Sequence, residues 1–466
     1  MNQSNRLKLH ALSSSAKIDF DKYRTKNYKH FDNKISFKNA VDRVTNPCWV
    51  KEHGFYPFIH FSIKIHKYNS AMKGKGKPEP KERKIFYASH IDSYIYKYYG
   101  DLLNDVYNKV AVKRGIDSVA TAYRRKKDGK CNIHFAKEVI DYIKSNNQAF
   151  IYVADFKSFF DELDHHYLKN QLQTILEKET LPDDYYAVFR SITKYSWVDK
   201  AKIDELLKKK YKNRDKRKKL SRLLDEKDFR RFRKVDKQNV EYNKKNYGIP
   251  QGAGLSSVCS NIYLLDFDEE LNNYVESCGG LYRRYCDDLI IVIPFDGDAE
   301  SYNFIQHLDF IEQVKEKTPR LIIQEEKTKK FIYNQDRIYG DNFELSILDY
   351  LGFAFDGHNV KLREKSLFKY YCRAYKKVRL CNWKSEKFGV KKYRKSLYTK
   401  YTHLGNGKAG YGNFLTYAER AQEVFDKDSK TNNLMAYQVK NHWKKIQKRL
   451  ITPKPKEPNT GLIPVK

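Results

Sequence analysis

Long apolar runs are missing from this chain of 466 residues. The longest, Leu289 to Phe295, is strand length and far short of a membrane span. The first residues, MNQSNRLKLH, have no apolar centre, so no signal peptide is expected. The seven cysteines (48, 131, 259, 278, 286, 372 and 381) are odd in number, scattered and never in a CxxC pair. That excludes zinc-finger spacing and favours reduced thiols over a disulfide framework. A soluble intracellular protein is expected. Acidic residues are scarce in two places. Residues 361–466 hold 27 basic and 7 acidic residues, and residues 201–245 hold 19 and 8. These stretches carry nearly all of the net charge of +33 and leave only +2 elsewhere. A near-neutral body with two basic elements predicts a polyanionic partner, nucleic acid above all. The hydrophobic share of 40% supports a sizeable core, and the length suggests two or three domains.

Along the chain, residues 1–17 read as a loose polar tail, Phe58 to Ile65 as a strand, and 72–81 as a Gly/Pro/Lys loop. Helical periodicity runs from Ser93 to Tyr107, and Phe150 to Ala154 reads as a buried strand. Residues 201–245 predict a charged helical hairpin. Tyr282 to Ile293 predicts two strands around a tight turn, Leu321 to Ile323 another strand, and Leu345 to Phe355 an apolar segment ending in a hairpin at Asp356-Gly357. Helices should dominate from there to a Pro/Lys tail at Thr452.

The chemistry lies in the acids. Tyr285-Cys286-Asp287-Asp288 sits between two apolar runs, where an Asp pair is also ordinary turn chemistry. Asp155 ends a second apolar run, and an acid there is costly without a cation partner. Strands aligned side by side would bring Asp155 to Asp287 and Asp288. Three converging carboxylates call for a divalent cation, and hard oxygen donors suit Mg²⁺. Two such ions about 3.5–4 Å apart form the nucleotidyl-transfer arrangement. A third element, Tyr247-Gly248-Ile249-Pro250-Gln251-Gly252-Ala253-Gly254-Leu255-Ser256-Ser257, runs into a predicted helix, and its glycines permit close backbone approach to a base pair or phosphate.

In this order the three elements resemble motifs A, B and C of reverse transcriptases. Lys81-Glu82-Arg83-Lys84-Ile85 and Ala122-Tyr123-Arg124-Arg125 through Phe135-Ala136 resemble their fingers segments, Lys327 the motif D lysine, and Tyr350-Leu351-Gly352-Phe353 the primer grip. The resemblance spans about residues 55–357. It implies an α+β fold: a right-hand fingers–palm core with an α-helical thumb-like C-terminal domain. The expected divisions are an N-terminal extension (1–54), fingers–palm (55–357, with the basic insertion 201–245), a thumb (358–451) and a tail (452–466). By resemblance, Asp155, Asp287 and Asp288 are catalytic and, with the Phe156 carbonyl, hold two Mg²⁺ ions. Arg83, Gln251 and Lys327 contact the nucleotide, and Phe160 is a steric gate selecting dNTPs; a core aromatic is the alternative role for Phe160. Cys286 departs from the alanine more common before the Asp pair.

No ribonuclease H, protease or zinc-bearing endonuclease segment is evident. His53-Gly54-Phe55-Tyr56-Pro57-Phe58, the Leu351-to-Gly357 hairpin and the basic C-terminus are similar to bacterial abortive-infection and unknown-group reverse transcriptases. That implies a cytoplasmic enzyme of antiphage defence acting with an RNA template or companion non-coding RNA, dNTPs and a DNA product. Its oligomeric state is left open. Retron-type enzymes, template-independent or protein-primed polymerases, and a non-catalytic RNA-binding scaffold are the alternatives; three clustered carboxylates argue against the last. Lys365, Lys369, Arg373 and Lys377 recur every four residues opposite Leu367, Tyr371, Tyr375 and Val378, which predicts an amphipathic helix with a basic stripe for a phosphate backbone. Gly405 to Gly410 matches GxGxxG but lacks a βαβ setting, so no dinucleotide site is expected.

Overall fold

A computed structural model describes residues 19–65, 81–124, 129–235, 239–391, 393–405 and 412–451. The expected tails, most of the 72–81 loop, Arg125 and Asn406 to Gly410 lie outside the described residues.

Strands β1 (Phe58–Ile65) and β2 (Lys81–Tyr87) pair antiparallel, with Ile63 opposite Arg83. Strand β4 (Ser196–Asp199) runs parallel to β1, and β5 (Glu241–Tyr242) completes this fingers sheet in the order β2-β1-β4-β5. The second sheet is the palm. Its central strand, β3 (Gln148–Asp155), lies between β7 (Asp288–Pro294) and β8 (Lys329–Asn334), with β6 (Leu281–Tyr285) and β9 (Arg337–Tyr339) outside them. All neighbours are antiparallel.

Both faces of the palm sheet are covered, which is why β3 and β7 read as unbroken apolar runs. Phe150, Tyr152, Ala154, Leu289, Ile291 and Ile293 face a large core shared with helices His90–Lys113 and Ser256–Tyr263. The alternating residues Ala149, Ile151, Ile290 and Val292 face a second core. That core is completed by β10 (Leu348–Tyr350), β11 (Phe353–Phe355) and β12 (Asn359–Leu362), which with β13 (Asn432–Asn433) form the third sheet, and by C-terminal helices including Glu364–Phe388 and Phe414–Asp426. Mixed helices and sheets in this arrangement match the expected α+β class.

Three local readings need correction. The basic insertion is not a hairpin but three helices, Lys200–Lys210, Arg214–Lys219 and Glu226–Val235. Asp199 and Asn213 each accept backbone N–H groups at a helix start, and Asp225 accepts from Asp228 N at 2.7 Å; three caps define three helices. These helices close a small core of their own around Ile203, Leu207, Leu224 and Phe232 against Ile59 and Val198. Leu321 to Ile323 is no strand; only a single bridge joins Ile323 to Phe156. Leu345 and Ile347 are 70% and 54% exposed; Leu345 makes only a single bridge, to Tyr339, and the ladder with β11 begins at Leu348. Within the N-terminal extension, Tyr23, Phe37, Val44 and Val50 sit in the main core. Among the described residues no helix is long and apolar enough to cross a membrane.

Candidate active site

Asp155 is the last residue of β3, and its register partner on β7 is Asp288. Asp287 occupies the β6–β7 turn after Cys286, whose φ of +63° is the left-handed conformation that closes this turn. The turn is tied to β3 by the Phe156 N–H, which donates to Asp287 O at 3.1 Å. On the other side, Gln324 N–H donates to Asp155 O and Lys157 N–H to Ile322 O, both at 2.8 Å, so the Phe156 carbonyl takes no part in that bridge. The sheet end thus gathers three carboxylates and one carbonyl from motifs far apart in sequence.

Their electrostatics are those of crowded acids. Asp288 is pushed up to about 6, first by desolvation and then by the charges of Asp287 and Asp155. Asp287 is raised by desolvation, with the Asp155 charge adding to it. The Lys327 ammonium forms an ion pair with the Asp155 carboxylate, a cation standing where a metal ion would relieve the repulsion. Hard oxygen donors that repel one another and recruit a cation fit Mg²⁺. Among the described residues no three acidic, His or Cys side chains are drawn into a closed cage, so the fit rests on donor chemistry and not on preformed coordination.

The glycine-rich loop joins the segment that follows Asp155 to β2 of the fingers sheet. Gly248 N–H donates to Leu163 O at 2.8 Å and Ile249 N–H to Phe160 O at 2.9 Å. Gly248 has φ +85°, and a Cβ there would stand 2.9 Å from Asp161 O. Phe86 N–H of β2 donates to Gln251 O at 3.2 Å, and a Cβ at Gly252 would meet Phe86 O at 2.2 Å. Backbone thus passes backbone with no room for a side chain. Gly252→Ala should therefore separate the loop from β2 and cost about 1–3 kcal/mol of stability, read as a fall in Tm.

The other expected residues fall around this centre. Arg83 is exposed on β2, the strand held by that loop. Phe160 is half-buried against the main core and tilted on Phe159, so packing takes up part of the side chain and leaves part accessible. Gln251 is half-buried in the loop, and Tyr350 and Phe353 flank the Leu351-Gly352 turn of β10–β11. Lys365, Lys369 and Arg373 are exposed on helix Glu364–Phe388, and Lys377 is half-exposed over the Tyr393 ring at 5.2 Å. The opposite side buries Tyr371 and Val378 as expected, with Leu367 and Tyr375 half-buried; Tyr370, Ala374 and Cys381 complete it.

One network carries no motif signal. Arg284 and Asp268 are fully buried and paired, Arg284 Nε donating to Asp268 Oδ1 at 2.8 Å. The same guanidinium donates to the Cys286 carbonyl at 2.9 Å and to Asn261 Oδ1 at 3.1 Å. Tyr282 OH donates to Asp268, and Asn261 donates to Ala122 O. Main-chain bonds join Arg284 to Val119 and Thr121, both at 2.9 Å. The aspartate turn, the glycine-loop helix and the fingers segment therefore meet on one side chain. The available signal is phase: β6 buries every second residue, and Arg284 shares the inward phase with Tyr282. Tyr123, which the sequence marks only as part of a fingers segment, also reaches this centre; it has φ +59°, is 53% exposed, and lies beside Cys286 and Asp287.

Comparison with known proteins bears on this geometry. Residues 106–355 match the family model described as reverse transcriptase (RNA-dependent DNA polymerase). No match is found among curated protein sequences. Among solved structures, the chain is similar to Candida albicans telomerase in complex with the TWJ fragment of telomeric RNA, at 12% identity over 88% of this chain and 59% of that one, with a TM-score of 0.44. It is also similar to apo telomerase from Candida tropicalis truncated from its C-terminal domain, at 12% identity over 61% and 54%, with a TM-score of 0.40. The chain spans a little over half the length of those telomerase chains. With more than half of its residues matched to the family model, the chain belongs to the reverse transcriptase (RNA-dependent DNA polymerase) family.

Proposed function

We propose that the protein is an RNA-directed DNA polymerase and that Asp155, Asp287 and Asp288 are its catalytic carboxylates. The observation that carries this reading is the pairing of Asp155 with Asp288 across β3–β7, beside Asp287, with the glycine loop bonded to the segment that follows Asp155. Two Mg²⁺ ions bound by these carboxylates and the Phe156 carbonyl would activate a 3′-hydroxyl and stabilise the leaving pyrophosphate. Arg83 neutralises triphosphate charge, Gln251 positions the nucleotide, and Lys327 leaves Asp155 for the departing pyrophosphate. Incorporation of dNTPs on an RNA template–primer, lost on chelation of Mg²⁺, tests the reading.

Phe160 supplies sugar selection in this scheme. Its ring edge would meet a 2′-hydroxyl, so Phe160→Ala should raise ribonucleotide incorporation relative to dNTPs by roughly 10- to 100-fold. An unchanged preference in the folded variant would leave Phe160 with its packing role alone.

Antiphage defence in the bacterial cytoplasm with a companion non-coding RNA is supported by the sequence resemblance around residues 53–58, the Leu351-to-Gly357 hairpin and the basic C-terminus. Sequencing the RNA that co-purifies, together with the DNA made, tests this. The basic stripe would grip the nucleic acid. Reversing Lys365, Lys369, Arg373 and Lys377 to Glu should weaken RNA binding and flatten its salt dependence by about one unit of slope for each phosphate no longer neutralised, with Tm little changed. An unchanged salt slope would move the grip to the insertion at 201–245.

A further inference from the structure

Helix Glu364–Phe388 carries more on its solvent side than four cations. At 3.6 residues per turn, Lys365, Lys369, Lys376, Trp383 and Lys387 fall within one arc of its surface, flanked by Phe368, Arg373, Arg379 and Leu380. The opposite side is already filled by Tyr370, Tyr371, Ala374, Val378 and Cys381. Large apolar side chains on such a helix belong inward. Yet Phe368 is 66% exposed, Trp383 49%, and Phe388 and Tyr393 at the helix end are 45% and 51%.

These rings are interleaved with ammonium groups. Lys384 lies 4.6 Å from the Trp383 ring and 5.1 Å from that of Phe388, while Lys387 lies 5.6 and 5.9 Å from the same two rings. The whole helix carries only two acids, Glu364 and Glu386. The contrast with the basic insertion is direct. There, Lys200, Lys209 and Lys218 are each paired with an acid three or four residues away. Among the described residues, Lys365, Lys369, Arg373, Lys376, Lys384 and Lys387 form no ion pair.

Unpaired cations alone suit any phosphate chain. Exposed rings between them suit a chain whose bases are also free to stack, and a duplex keeps its bases turned inward. An acidic protein partner would match the charge but gives the rings no planar counterpart. We propose that the outer face of this helix from Phe368 onward, together with its exposed C-terminal end at Phe388, docks single-stranded nucleic acid, with phosphates on the lysines and unpaired bases on Trp383 and Phe388. The face is about 30 Å long, room for several nucleotides. This surface is independent of the polymerase assignment: it would bind single strands whether or not the carboxylates catalyse.

Trp383 is the only tryptophan of the four that is exposed, so it reports its own occupancy. The full chain would be titrated with an unstructured oligo-U 12-mer and, separately, with a blunt 12-base-pair RNA duplex. Oligo-U should quench tryptophan fluorescence and the duplex should not. Trp383→Phe should abolish the quench while keeping affinity within about threefold, because a ring remains. Trp383→Leu with Phe388→Leu should weaken oligo-U binding by roughly 10- to 100-fold, stacking being worth about 1–3 kcal/mol per base, and leave duplex binding unchanged. Equal binding of oligo-U by the double Leu variant overturns the proposal, as does a duplex that quenches as strongly. Should the Leu variant fail to fold, the quench in the wild type and its loss in Trp383→Phe decide the matter alone. Loss of dNTP incorporation with this binding pattern intact would instead count against the polymerase reading.

Discussion

Asp287→Asn is expected to lower nucleotide incorporation by on the order of 10³-fold while leaving RNA affinity unchanged, because one of the three carboxylates that would hold Mg²⁺ is lost. Asp155→Asn should behave alike. Asp161→Asn, from the same motif as Asp155, should stay within a few-fold of wild type, since it is the Asp161 carbonyl and not its carboxylate that abuts Gly248. Stability should move the other way. A carboxyl held above its usual value in the folded chain weakens folding wherever the unfolded chain is ionised. For Asp288, at about 6 against an ordinary value of 3.8, this burden is complete above about pH 6 and disappears below about pH 4. In chelator, the contribution of this site to Tm should therefore rise as pH falls through that window, and Asp287→Asn should raise Tm at pH 7.5. Saturating Mg²⁺ should remove both effects. A variant that keeps normal incorporation would end the assignment of Asp287 as a metal ligand.

The second large effect is expected at Arg284. Arg284→Met leaves the Asp268 carboxylate buried without its cation, which should cost about 3–5 kcal/mol and lower Tm sharply. Arg284→Met combined with Asp268→Leu replaces both charges by apolar volume and should recover most of that stability. Incorporation should not recover with it, because the bond from the guanidinium to the Cys286 carbonyl is absent in both variants and the left-handed turn carrying Asp287 is no longer held. Thermal melts and single-turnover incorporation on the same three proteins separate the two functions. If the double variant regains both, the network serves packing only.

The strands of the palm and their acids are legible because local pattern and chemistry agree: β3 and β7 are apolar runs ended by carboxylates, and the β6–β7 turn lies between them. The amphipathic helix at 364–388 is legible for the same reason, as its period is local. What escapes a reading along the chain depends on partners distant in it. Arg284 reads as one more basic residue until Asp268 and Asn261 are brought to it. The three helices of the insertion read as a two-helix hairpin because their caps, Asp199, Asn213 and Asp225, are also ordinary surface residues. Leu345 and Ile347 look like core by composition, yet their side chains are exposed and the ladder with β11 starts only at Leu348. The attachment of the N-terminal extension is likewise non-local: Asp32 accepts from Ile91 N and pairs with His90 at the start of helix His90–Lys113.

The most direct test of the central claim uses the purified full chain with a synthetic RNA template of defined sequence, an annealed primer, dNTPs and Mg²⁺, followed by sequencing of the product. A templating carboxylate site predicts DNA complementary to the RNA, absent in chelator and absent with Asp287→Asn. Product whose sequence ignores the template, or incorporation that survives Asp287→Asn, would contradict it.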